Sequence, residues 1–257
     1  MTITVDDVLP DPWGLLAGTD WASLEHARGS AAGTPALLAG LLADEAGTQA
    51  RALRHLNDPV HHQNTIYSAT VPAAAYVASI LRDPRTGTVV VDRDGRALPL
   101  RAALLDWVMS VAIEIDSEAE AHMAGAGFSL EEYPESVQVR ALRPGLFQAV
   151  SAFLHAPDLA VQEAAIAAAV SLLDAPELVQ QRALLTPLVR DVLVCSDNRS
   201  TASSPAVVSS PGEKTQVPCL TSKTRICGRA AAAANRPFDR DLHGEEGDHL
   251  SPAGVMP

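Results

Sequence analysis

Residues 41–56, LLADEAGTQARALRHL, carry the two signals that decide the fold: an apolar stripe at helical spacing and a near copy elsewhere in the chain. The apolar stripe consists of residues three or four positions apart, namely Ala46, Ala50, Leu53 and Leu56. This spacing predicts an amphipathic helix from about residue 45 to residue 56. Asn57–Pro59 follows directly, and such a sequence is typical of a helix end.

The near copy is LHAPDLAVQEAAIAAA, residues 154–169, which aligns with the first segment without gaps. The alignment sets Gln49 on Gln162, Ala52 on Ala165 and Leu53 on Ile166. The offset of 113 residues is about three units of 38, a period in the range of helix-pair repeats, in which each pair buries its apolar face only against its neighbours. The sequence therefore predicts an all-α fold built from helix hairpins.

Further amphipathic segments separated by Asp-Pro and Gly signals indicate more helices of the same kind. We expect a first helix capped by Thr19 and Asp20. Residues 61–82 predict one long helix kinked at Pro72, or two nearly collinear helices. The remaining predicted helices cover residues 34–42, 98–115, 143–154, 160–173 and 176–193. Trp13, Trp21 and Trp107 fit packing between helix pairs.

One segment departs from this helical pattern. In TGTVVVDRDGRALPL, residues 86–100, three valines precede an Asp-Gly pair, which is a hairpin signal. No other strand-like run exists to extend it into a larger sheet. The segment predicts a short two-stranded insertion between helices, on one rim of the stacked pairs.

Four stretches of the body resemble the HEAT-repeat-like, armadillo-type proteins of actinobacteria: WASLEHARGSA (21–31), TPALLAGLLADEAGTQARALRHLNDPVHHQNTIYSAT (34–70), AAAYVASILRDPRT (73–86) and LRAALLDWVMSVA (100–112). The resemblance covers about residues 13–193. It implies an α-solenoid, that is an α-α superhelix, with a binding role. The family has no agreed catalytic residues that could be assigned to positions of this chain. Members of that group continue with further helices, whereas this chain departs from them after LVRDVL (188–193).

The composition changes at the same place. Residues 194–257 hold all three cysteines and both lysines, are rich in Ser, Thr, Pro and Gly, and lack helical or strand periodicity. Such a segment buries too little apolar surface to offset the entropy of ordering the backbone. We expect a helical repeat domain over residues 1–193 and a disordered tail over 194–257, either a genuine flexible tail or the product of frame-shifted translation.

Charge and hydropathy limit the classes of partner. The net charge of -12 argues against nucleic acid, because phosphate binding depends on clusters of Lys and Arg. No apolar run approaches the length that spans a bilayer, and the N-terminus has no basic segment ahead of an apolar one, as a secretory signal would. We therefore expect a cytoplasmic protein with neither a membrane nor a nucleic-acid partner.

The stretch HHQNTIYSAT, residues 61–70, is the most polar ten-residue segment inside the apolar body. Adjacent His61 and His62 lie about 100° apart around a helix and cannot readily share one metal ion, so a metal site is disfavoured. A buried polar cluster is favoured, with His62, Gln63 and Tyr67 bonding backbone groups freed near Asn57–Pro59. The alternative is an exposed binding hot spot, for which His61, His62 and Tyr67 are the candidate contacts.

A second candidate site is IEIDSEAEAH, residues 113–122, which sets Glu114, Glu118 and His122 at four-residue spacing on one predicted helix face. Two carboxylates and an imidazole in this arrangement could hold a divalent ion or perform acid/base chemistry. A solvated face is the favoured interpretation, because no second helix offers a recognisable ligand. With Glu131, Glu132 and Glu135 these residues form an acidic rim suited to a basic partner.

No nucleophile elbow, dinucleotide-binding glycine motif, P-loop or HExxH motif occurs in the body. The favoured function is therefore a non-catalytic protein–protein interaction module, a scaffold or inhibitor without a cofactor, whose protein partner is unknown. The alternative is an enzyme on a HEAT-like scaffold, of the base-excision glycosylase or chromophore lyase type. A glycosylase would need a basic groove, yet residues 1–190 hold 23 acidic residues against 12 arginines.

Overall fold

The computed structural model describes residues 10–92, 95–183 and 185–189, and this part of the chain is mostly helical with two small two-stranded sheets. Its α-helices are α1 (Pro12–Gly18), α2 (Thr34–Ala39), α3 (Ala46–His55), α4 (Thr70–Ile80), α5 (Leu100–Ile113), α6 (Ser117–Gly125), α7 (Pro134–Ser151) and α8 (Leu159–Leu172). Its strands are β1 (Glu25–His26), β2 (Gly29–Ser30), β3 (Val89–Val91) and β4 (Ala97–Pro99). The predicted tail, residues 194–257, lies outside the described residues, so the structure tests neither the flexible tail nor the frame-shifted product.

Helix α5 lies at the centre of the core because its sequence, LRAALLDWVMSVAI, is apolar on nearly every side. Its side chains buried below 2% exposure include Leu100, Leu104, Leu105, Trp107 and Val111. It packs mainly against α8, while α4 packs mainly against α7. The helix pair α4 and α5 therefore packs on the pair α7 and α8, so that α4 contacts α7 and α5 contacts α8.

The two aligned segments adopt the same local structure. Gln49 Nε2 donates to the carbonyl of Leu41 at 3.3 Å, and Gln162 Nε2 donates to the carbonyl of Leu154 at 3.1 Å. Both glutamines lie near the start of a helix, α3 or α8, and both acceptors lie eight residues earlier. The matched apolar positions Ala52, Leu53, Ala165 and Ile166 are all buried. The sequence match therefore corresponds to a shared structure at the start of a helix, in which a glutamine side chain bonds the turn that precedes the helix.

The hairpin predicted within residues 86–100 is confirmed. Strand β3 pairs antiparallel with β4, with Val90 opposite Leu98. Val90 faces the core at 2% exposure, whereas Val89 and Val91 are exposed. Gly95 closes the turn with a φ of +79°, a backbone region that favours glycine.

The predicted helix after Thr19 and Asp20 is wrong. A single 3₁₀ turn, Trp21–Ser23, is followed by a second hairpin of β1 and β2, in which Gly29 begins β2 with a φ of +97°. The N-terminal helix is instead α1, where Asp11 caps the backbone N–H of Gly14 and Pro12 occupies the first position. Trp21 and Trp107 are buried as expected, but Trp13 is 51% exposed, so its predicted core position is wrong.

The other large boundary error concerns α7. The sequence predicts a helix only from residue 143, because Pro144 is unfavourable inside a helix. In the structure α7 begins at Pro134 and continues through Pro144 to Ser151. Burial of Val139, Leu146 and Val150 on one side of this helix supplies the packing that outweighs the missing backbone hydrogen bond.

Candidate functional site

Asn57–Pro59, which the sequence assigns to a helix end, follows α3, which ends at His55, and lies in a π turn. The turn covers Leu56–Val60, and the N–H of His61 donates to the carbonyl of Leu56 at 3.0 Å. Pro59 has no N–H to offer the α-helical ladder, so a wider hydrogen-bonded ring forms at this point. The chain then leaves the helix axis at His61, whose φ of -138° is extended.

The polar stretch from residue 61 to residue 70 is a connection and not the start of a long helix, so the predicted kinked helix over 61–82 is wrong. A 3₁₀ turn covers His62–Asn64, and α4 begins at Thr70. Pro72 therefore lies in the first turn of α4, where a missing N–H costs nothing. Gln63 and Asn64 have φ values of +48° and +61°, a left-handed conformation that is uncommon for residues other than glycine.

Buried polar contacts hold this connection, but their members differ from the predicted ones. The Thr70 hydroxyl donates to the carbonyl of Val60 at 2.6 Å, and Trp107 Nε1 donates to the carbonyl of Leu56 at 3.1 Å. His61 is 5% exposed and its ring meets the Trp107 ring edge-on at 6.1 Å. The predicted members are placed elsewhere: Gln63 is exposed, and His62 and Tyr67 are half-buried.

An open cleft of about 750 Å³ separates this connection and α3 from α5. One wall consists of residues between 51 and 64, and the other of α5 positions between Ala103 and Glu114. Hairpin residues Val91 and Leu98 close one side. The α5 wall is about 16 Å long, from a helical rise of about 1.5 Å per residue. This volume is within the range of ligand-binding clefts.

The cleft brings together three of the six predicted contact residues. His61, His62 and Glu114 line it, although the sequence assigns them to two unrelated candidate sites. Tyr67, Glu118 and His122 do not line it. Apolar side chains also line the cleft, including Leu37 of α2, Leu98 of β4 and Trp107 of α5.

The predicted helix face of Glu114, Glu118 and His122 does not exist. Helix α5 ends at Ile113, and α6 begins at Ser117 after Asp116 caps the N–H of Ala119 at 2.8 Å. Glu118 and His122 are exposed on α6, consistent with the solvated face, whereas Glu114 is the C-cap residue of α5 on the other side of the break. Within the acidic rim, Arg140 contacts Glu120 at 2.7 Å and Glu131 at 3.6 Å.

The charges along the cleft differ between its walls. Asp106 and Ser110 on α5 and Glu114 at its C-cap follow one another at four-residue spacing, so they lie on one side of the helix. On α3, Arg51 and Arg54 are exposed and three positions apart. A signal for this arrangement was present in the sequence, because Asp106 and Ser110 interrupt an otherwise apolar helix, but it was not recognised as part of a site.

Asp58 organises the polar end of the cleft. Its carboxylate lies 3.2 Å from Arg28 and 3.0 Å from Nδ1 of His62. Burial raises the pKa of Asp58, but the hydrogen bonds and charges of Arg28 and His62 outweigh that effect and hold the pKa below its usual value. The carboxylate is therefore ionised at neutral pH and fixes the His62 ring at the cleft wall.

His55 lies at the same end and contributes no positive charge. Its Nε2 is 3.0 Å from the Thr34 hydroxyl, and its ring is 5.6 Å from that of His26. Burial first, and the neighbouring His26 second, lower the pKa of His55 to about 4, although Asp58 opposes the shift. The His55 imidazole is therefore neutral at physiological pH.

The contact between Ser110 and His61 does not resemble an activated nucleophile. Ser110 Oγ lies 3.3 Å from His61 Nδ1, but the hydroxyl donates to the carbonyl of Trp107 at 2.8 Å. A base that activates a hydroxyl must accept its proton. The hydroxyl of Ser110 is directed at the backbone instead, so the pair holds the imidazole in place.

In the part of the chain that the structure describes, no three or more His, Cys, Asp or Glu side chains are grouped so as to hold a metal ion. In the same residues, every helix is too short or too polar to cross a membrane. No family model, curated protein or solved structure matches the chain.

Proposed function

We propose that this protein is a HEAT-like α-solenoid that acts in the cytoplasm as a non-catalytic scaffold or inhibitor and binds a partner protein. Three observations support the solenoid: the contact of pair on pair, the shared local structure at Gln49 and Gln162, and the core running along α5 and α8. Stacked helix pairs present extended surfaces that suit protein binding.

The cleft between α3 and α5 is the surface on which we propose that the partner protein binds. Its α5 wall of about 16 Å matches about five residues of extended peptide at 3.3 Å each. Half-buried Leu37, Leu98 and Ile113 line it beside polar groups, which is the mixture found at protein interfaces. A segment of a partner protein can therefore bury apolar side chains here without losing its polar contacts.

The alternative, an enzyme of the glycosylase or lyase type on the same scaffold, stays a prediction. The Ser110–His61 contact does not favour it, because the hydroxyl donates to a carbonyl. Within the acidic rim, Glu131 already contacts Arg140, which also contacts the neighbouring Glu120. The cleft is the better candidate for the partner-binding surface.

A blocking substitution tests this proposal. Ile113→Trp adds bulk to the half-buried α5 wall of the cleft, whereas Val170→Trp adds the same aromatic group on an exposed part of α8 outside the cleft lining. With the full chain as bait in a native lysate, we expect one reproducible partner for the wild type and for Val170→Trp, and its loss for Ile113→Trp. Circular dichroism checks that both variants are folded.

Two results would contradict the proposal. One is the absence of any reproducible partner for the wild-type bait. The other is a partner that Ile113→Trp retains as well as Val170→Trp does, because binding then takes place on another surface.

A further inference from the structure

We infer that the cleft takes an acidic peptide segment, whose carboxylate is bound by Arg51 and Arg54 while a neighbouring apolar side chain enters between α3 and α5. This inference rests on the proposed function and adds the chemistry of the partner. It concerns the exposed end of α3, where both arginines line the cleft.

The arginines that line the cleft differ in their contacts. Arg96 lies 2.7 Å from the carboxylate of Asp92. Among the described residues, Arg51 and Arg54 have no carboxylate within 4.0 Å, and the same holds for Arg82, Arg101 and Arg182, which do not line the cleft. Because Arg51 and Arg54 are exposed at the cleft, their guanidinium groups are available to a ligand there.

The geometry of α3 favours a shared anion. Residues three positions apart lie on the same side of a helix, about 5–6 Å apart at their Cβ atoms. Two guanidinium groups at that spacing can converge on one carboxylate, and Arg binds carboxylates through paired hydrogen bonds. A phenyl or aliphatic side chain next to that carboxylate reaches the apolar lining formed by Leu37 and Leu98.

The test uses the immobilised full chain and a phage-displayed library of random peptides about 12 residues long. Each selected sequence is then synthesised with a fluorescent label, as selected and with every Glu or Asp replaced by its amide. Binding is measured by fluorescence anisotropy for four proteins: wild type, Arg51→Gln/Arg54→Gln, Ile113→Trp and Arg82→Gln. Arg82 is the control because it is exposed and does not line the cleft.

We expect the selected peptides to carry Asp or Glu beside Leu, Phe or Trp. The double arginine variant should lose about tenfold or more in affinity, as should the amide peptides on the wild type. Arg82→Gln should bind as the wild type does. Raising the salt concentration should weaken binding to the wild type more than to the double variant.

The possible failures are distinguishable. Peptides that Ile113→Trp no longer binds, but that lack acidic residues or bind the double arginine variant equally well, overturn this inference and leave the proposed function standing. Selection of no peptide that depends on the cleft overturns both. Because Arg51 and Arg54 are exposed, loss of folding by the double variant is not expected, and its melting temperature checks this.

Discussion

At the residue scale, buried polar side chains near Pro59 act on two backbone carbonyls of the π turn. The Thr70 hydroxyl donates to the carbonyl of Val60, and Trp107 Nε1 donates to that of Leu56, which also accepts the N–H of His61. The sequence predicted polar partners at this place, but assigned that part to His62, Gln63 and Tyr67. It could not predict which residues serve, because the left-handed backbone at Gln63 and Asn64 redirects the side chains away from a helical pattern.

His55 should make the stability of the protein depend on pH. Its pKa of about 4 in the folded state lies below the usual 6.5, so between these values the unfolded chain binds a proton that the folded protein does not. The free energy of unfolding therefore falls as the pH decreases from about 6.5 to 4. Since the ring is only partly buried, we expect a loss on the order of 1 kcal/mol.

Urea unfolding at pH 7 and pH 5 measures this loss. The variant His55→Gln, which retains a polar group near Thr34, should lose less stability between the two pH values than the wild type. His122→Gln is the control, since His122 is exposed on α6. An equal pH dependence for His55→Gln and the wild type would show that another group is responsible.

At the element scale, local pattern alone was sufficient for some elements and insufficient for others. Helices α3, α5 and α8 were predicted within a few residues, because their apolar spacing is regular and their ends have clear signals. The β3–β4 hairpin was predicted from its Asp-Gly turn. The β1–β2 hairpin was missed, because strands of two residues have no detectable periodicity, and tertiary packing extends α7 across Pro144.

The two equivalent glutamines should differ in their contribution to stability. Gln49 is fully buried and its Nε2 donates to two carbonyls, those of Leu41 and Arg85, whereas Gln162 is half-buried and donates to Leu154. We expect Gln49→Ala to cost about 1–3 kcal/mol and Gln162→Ala about 0.5–1.5 kcal/mol. Chemical denaturation measures both, and a larger cost for Gln162→Ala would contradict the structural comparison.

At the scale of the whole molecule, one hydrophobic core runs from Leu16 in α1 to Leu185. Its centre is the contact of α5 with α8, which joins segments far apart in the sequence. The cleft depends on the same kind of long-range contact, since it sets residues near 55 against residues near 110. Periodicity describes each helix separately, and for this reason the sequence placed His61 and Glu114 in different sites.

A substitution that leaves a cavity in this core should lower the stability of the whole described domain, which should still unfold in a single transition. Leu104 in α5 is fully buried, so Leu104→Ala should cost about 2–5 kcal/mol. Tryptophan fluorescence reports on Trp21 and Trp107, while circular dichroism reports on all helices. We expect both signals to shift to lower denaturant together, as in a two-state transition. Two separated transitions would show that the core is divided.

The π turn at Leu56–Val60 also bears on how the gene can change in length. A π turn holds one residue more than the α-helical turn that it replaces, so deleting the codon of Pro59 should restore regular helix without breaking the chain. The residues between the deletion and His61, where the chain leaves the helix axis, would then rotate by about 100° around the axis of α3. His61 would turn away from the cleft while Arg51 and Arg54 stayed in place, so the loss of a single codon changes one part of the cleft lining without the other.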